Sequence, residues 1–157
     1  MTSYRDAGLW QGKQRRPHIS IVCNFTKPTP TEPSLLSVDE VRTLFHEFGH
    51  ALHGLLSKVQ YRSISGTNVF LDFVELPSQI MENWTYETET LNMFAHHYKT
   101  GEVIPQGLIQ KLKTSQNFQA GLFGLRQLSL GILDLAWHLE PSELMKNVEA
   151  FEEQVTR

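Results

Sequence analysis

Ser37 and Glu40 stand three residues apart, just ahead of Val41, Leu44, Phe45, Phe48, Leu52 and Leu55, an apolar series that recurs every three or four positions. The pair is an S-x-x-E capping box, and Asp39 and Glu40 suit the positive end of a helix dipole. The spacing predicts an amphipathic helix with one buried stripe. Inside that helix lies His46-Glu47-Phe48-Gly49-His50. Residues four apart share a helix face, so both imidazoles project to one point. There they can hold Zn²⁺ at about 2.0–2.1 Å from each ring nitrogen. Glu47 is rotated by about one hundred degrees from His46, so it flanks the ion and reaches a water held there without being a ligand. Gly49 is a poor helix former, costing roughly 0.8–1.0 kcal/mol relative to Ala. A small residue at that position predicts the close approach of another backbone.

A catalytic zinc needs a third protein ligand and an open position. His53 shares the face of His46 and His50, but lies about 10 Å along the axis from His46. It reads as a wall residue or a partner of a ligand. Glu75, twenty-five residues beyond His50, is far enough along for the chain to return across the first helix. A second helix is predicted to begin near Asp72 to Pro77 and to run through Trp84 toward Tyr98, with Glu75, Gln79 and Glu82 as a polar stripe. On spacing alone, Glu75 is equally a third ligand and a solvated acid at a helix start. Gln79, Glu82 or Asn83 could orient the histidines.

The rest of the chain sets the frame. Its 157 residues carry 14 Lys and Arg against 17 Asp and Glu, a net charge of −3. Such a balance offers no basic field for nucleic acid or an anionic membrane. The most apolar stretch, Ala120 to Trp137, includes Arg126, Gln127 and Asp134, which excludes a membrane span and fits a buried helix. Cys23 is the lone cysteine, so no internal disulfide is available. Residues 1–17 show no period and read as poorly tied down. His18 to Phe25 reads as a strand without a visible partner. Helical segments are predicted over Gln106 to Lys113, Asn117 to His138, and Ser142 to the C-terminus. The fold class is therefore mainly α, with one or two short strands near the N-terminus. No linker divides the chain.

Taken together, His46-Glu47-Phe48-Gly49-His50-Ala51-Leu52-His53, then Ser65-Gly66-Thr67-Asn68, then Asp72-Phe73-Val74-Glu75-Leu76-Pro77-Ser78-Gln79, closing with Glu82-Asn83-Trp84, resemble the thimet oligopeptidase family of zinc peptidases. The likeness extends upstream to Asn24-Phe25-Thr26-Lys27-Pro28 and downstream to the Phe118 to His138 helix. Ser65-Gly66-Thr67-Asn68 and His97-Tyr98 are most similar to its bacterial peptidyl-dipeptidase branch, with the oligopeptidase A branch next.

The resemblance implies His46, His50 and Glu75 as ligands of one Zn²⁺ per chain and Glu47 as the catalytic carboxylate. It implies a helical zincin-type core and hydrolysis of short peptides, of peptidyl-dipeptidase or oligopeptidase type. By position in the family, Cys23, Asn24 and Phe25 would form the strand edge that holds an extended peptide; a strand wholly covered by its own fold is the equal alternative. It also implies that residues 1–157 are a central part of a longer catalytic domain, because the family's His- and Tyr-containing segment has no match here. The competing expectation is a zinc-binding helical chain without turnover. A lone thiol and no visible signal segment point to the cytoplasm.

Overall fold

A computed structural model of the chain describes residues 1–139 and 147–156. The chain forms two compact units, Met1–Ile109 and Gln110–Arg157. Four short strands open the first: β1 (Thr2–Arg5), β2 (Gly8–Trp10), β3 (Lys13–Arg15) and β4 (His18–Ser20). Strands β1 and β4 pair antiparallel, with Thr2 opposite Ser20. Strands β2 and β3 form a hairpin with Gly8 opposite Arg15. Its turn, Gln11-Gly12, has φ of 49° and 75°, the left-handed pair that lets two twisted strands meet through two residues.

Two expectations are corrected here. Residues 1–17 are tied down: Asp6 accepts from Ser3 Oγ at 2.6 Å and faces Arg62 Nε at 3.3 Å, and the Arg15 guanidinium covers the Trp10 ring. These strands are too short and too polar to show a two-residue period. The strand expected over His18 to Phe25 ends at Ser20. Its register sets Ser20 against Thr2 at the last pair of the ladder. Asn24 and Phe25 thus lie outside any strand.

The capped helix forms as predicted. Helix α1 spans Val38–Leu56, and Ser37 and Glu40 exchange both bonds of the capping box. Glu40 does more: the backbone N–H of Thr26 donates to its Oε1 at 2.6 Å and the Thr26 hydroxyl at 2.8 Å. With the Ser37 backbone N–H foremost, these donors lower the Glu40 carboxyl from 4.5 to about 2. Past α1 the chain doubles back through a single 3-10 turn, Arg62–Ile64. The Gly66 N–H donates to the Ser57 hydroxyl at 3.1 Å. Gly66 has φ of +56°, and a Cβ there would meet the Gly54 Cα at 2.9 Å.

The long second helix is corrected to a series of short ones. Helix α2 covers Leu71–Val74, α3 Leu76–Glu82, and α4 Thr88–Phe94, with a 3-10 turn at Asn83–Tyr86 between the last two. Pro77 is the cause of the first break. It has no N–H to give the Phe73 carbonyl one turn back, and the Glu75 N–H takes that carbonyl instead. Glu75 therefore sits at a joint, capping α2 and opening α3. Helix α3 packs closely on α1 at Gly49, where a Cβ would lie 2.5 Å from the Ser78 Cα and 2.7 Å from the Pro77 carbonyl oxygen. Gly49 is small for the reason its sequence position suggested. Helix α5 (Gln106–Ser115) follows, with Ile109 buried.

In the second unit, α6 (Ala120–Leu139) and α7 (Val148–Thr156) pack together, with the Trp137 and Phe151 rings 4.5 Å apart. Helix α6 is helical where expected but not buried: Leu122, Phe123, Leu125, Leu128 and Leu135 are all exposed. The helix expected from Ser142 onward is seen from Val148; residues 140–146 lie outside the described residues. No helix among the described residues is long and apolar enough to cross a membrane.

Candidate metal centre

Helix α1 presents His46 and His50 on one face, their ring centroids 4.9 Å apart and their planes nearly perpendicular. The α2–α3 joint brings Glu75 across from them. Its Oε2 stands 3.2 Å from Nε2 of His46 and 3.2 Å from Nε2 of His50. One ligand atom from each of the three residues falls within 4.8 Å of the others. His50 is buried, while His46 and Glu75 are half-buried.

Neighbouring groups hold these side chains. The Ser78 hydroxyl, fully buried, donates to Glu75 Oε2 at 2.7 Å and to the Glu75 carbonyl at 2.9 Å. That hydroxyl first, and then the His50 and His46 imidazoles, keep the Glu75 carboxyl below its usual range against the opposing effect of burial. His46 Nδ1 lies 2.7 Å from Glu82 Oε1. An ionised carboxylate only accepts, so Nδ1 donates in this contact, and a cation held at Nε2 would take that nitrogen's lone pair. His46 Nε2 and His50 Nε2 both face Glu75 Oε2, so the three atoms that would hold a cation are gathered at one point. Two imidazoles and a carboxylate are a donor set that suits Zn²⁺. The residues present fit the ion.

The other candidates fall in varied places. Glu47 is half-buried beside His46, and its Oε2 accepts from the Met1 ammonium at 2.6 Å. His53 lies outside the converging set; its ring meets Phe73 edge-on, and its Nδ1 is buried without a partner among the described residues. Burial, and then the neighbouring His50, push the His53 pKa down. Gln79 is exposed on α3, and no hydrogen bond joins it to either histidine among the described residues. Asn24 is exposed and Phe25 half-buried in the irregular chain after β4.

The sequence pattern of peptidase family M3 matches the chain over residues 1–157. The chain belongs to peptidase family M3. Its M3 relatives include the dipeptidyl carboxypeptidase of Escherichia coli K12, 42% identical over 94% of this chain and 23% of the relative. Oligopeptidase A of the same organism is 44% identical, over 90% of this chain and 21% of the relative. The thimet-like oligopeptidase of Dictyostelium discoideum is 42% identical over 86% of this chain and 22% of the relative. This M3 chain thus spans under a quarter of the length of these relatives. The family resemblance read from the two-part motif is met.

Two residues of this M3 site escaped sequence reasoning. Ser78 stands three positions after Glu75, the spacing at which a hydroxyl turns back on a helix start. Arg42 is one helical turn before His46 and lies 3.7 Å from Glu82 Oε2. Both spacings were visible, but neither residue type signals a metal by itself.

Proposed function

We propose that this chain carries the metal-holding and proton-transfer part of a zinc peptidase acting on short peptides, of peptidyl-dipeptidase or oligopeptidase type. The convergence of His46 Nε2, His50 Nε2 and Glu75 Oε2, beside Glu47 in an M3 chain, carries this reading. Those three side chains would hold one Zn²⁺, which when bound supplies Lewis acidity toward a peptide carbonyl and acidifies water.

Glu47 accepts a proton from water as the water oxygen adds to the scissile carbonyl carbon. It then returns that proton to the amine nitrogen as the C–N bond breaks. Glu75 keeps its negative charge through the Ser78 hydroxyl and so offsets part of the charge of the ion. The names of the two E. coli relatives support short peptides as substrates. The cytoplasm is the compartment proposed, since the lone thiol of Cys23 has no partner to oxidise with.

A chain that holds zinc without turnover is the second reading. Elemental analysis after purification without added metal or chelator, followed by a peptide-hydrolysis assay, tests both. About one zinc per chain with turnover supports the first reading, and the same zinc without turnover supports the second. No zinc after supplementation removes both. Glu47→Gln should keep the ion and abolish hydrolysis; retained turnover would take the base role away from Glu47.

A further inference from the structure

Glu82 ends helix α3, and its two carboxylate oxygens go to different places on α1. Oε1 lies 2.7 Å from His46 Nδ1 and Oε2 lies 3.7 Å from Arg42 Nε. Arg42 and His46 are one turn apart on the same face, so a single carboxylate spans both turns. Arg42 is itself fixed from below, with Nη2 3.3 Å from Asp39 Oδ1. His50 has no such support: its Nδ1 is buried with no hydrogen-bond partner among the described residues. Gln79 and Asn83 are exposed, and no hydrogen bond joins either to a histidine among the described residues.

We propose that Glu82, held by Arg42, is the positioning residue that locks His46 in its Nδ1–H tautomer and aims the Nε2 lone pair at the metal. The inference rests on the reading of His46 as a ligand. It also assigns the two histidines different supports, a charged hydrogen bond for His46 and burial for His50. An outer carboxylate of this kind fixes ring orientation and raises ligand basicity, and its loss costs about 10–100-fold in metal affinity.

The test uses the full chain, free of metal, at about pH 8, above the ordinary histidine range. Long-range ¹H–¹⁵N spectra of the wild type should show His46 protonated at Nδ1 alone. Glu82→Ala should give a mixture of tautomers, and its zinc affinity, read by competition with a chromophoric chelator, should fall about 10–100-fold. Glu82→Gln keeps an accepting oxygen and should retain the single tautomer and most of the affinity. An Nε2–H tautomer in the wild type overturns the proposal. So does a Glu82→Ala chain that melts lower yet keeps the single tautomer and wild-type affinity. Should Glu82→Ala fail to fold, the wild-type spectrum decides. Should the wild type bind no zinc, the ligand reading falls while the tautomer still tests Glu82.

Discussion

Gly49 and Ser78 meet backbone to backbone: a Cβ on Gly49 would stand 2.5 Å from the Ser78 Cα. This contact sets the distance between the helix that carries both histidines and the residue that holds Glu75. Gly49→Ala would force the two backbones apart, because the obstructing atoms are not the ends of flexible side chains. The expected cost is about 1–3 kcal/mol. It should appear as a lower melting temperature, by about 2–4 °C per kcal/mol for a chain of this size. Zinc affinity, measured by chelator competition, should fall with it.

Glu75 and His53 were the two candidates for a third ligand, and they separate in one experiment. Glu75→Ala should weaken zinc by more than the about 10–100-fold typical of a residue acting behind a ligand. His53→Ala should change it only a few-fold, since His53 lies outside the converging atoms. The reverse order would return the third position to His53.

Metal removal should be visible in stability. The proposed ligands come from α1 and from the α2–α3 joint, so an ion bound only by the folded chain would link them. Zinc at 100 times its dissociation constant should raise unfolding free energy by about 2.7 kcal/mol. A chelator should reverse the gain, as read by thermal melts at matched protein concentration.

Glu40 predicts an acid response. Its folded pKa is lowered from 4.5 to about 2, so its contribution is complete above the unfolded value. It is lost as pH falls through that interval toward the folded value. The melting-temperature difference between wild type and Glu40→Gln should therefore shrink as pH drops from 4.5 to about 2. A difference that stays constant would remove Glu40 from that role.

Much of the centre was legible because it is local. A capping box, an apolar stripe and two histidines four apart depend on helix geometry alone, and α1 starts at the expected cap. Glu75 was legible only as one of two alternatives, since spacing says that a chain can return, not where. Strands β1, β2 and β3 were not legible from segments of three or four residues, whereas β4 lies inside the strand read over His18 to Phe25. The Gln11-Gly12 turn was their available signal. The second helix was read as continuous although Pro77 stood inside it, and its break at Glu75 is what brings the carboxylate to the histidines.

By itself, then, the sequence determined the helix, the facing pair His46 and His50, the small residue at Gly49 and the likeness to M3 peptidases. Each follows from short-range periodicity or from a motif of fixed spacing. The tertiary structure decided which carboxylate meets the imidazoles, which hydroxyl holds it, and which histidine gains an outer carboxylate. Those choices depend on how closely α1 and α3 approach and where the chain between them bends. A packing distance and a missing proline N–H set both.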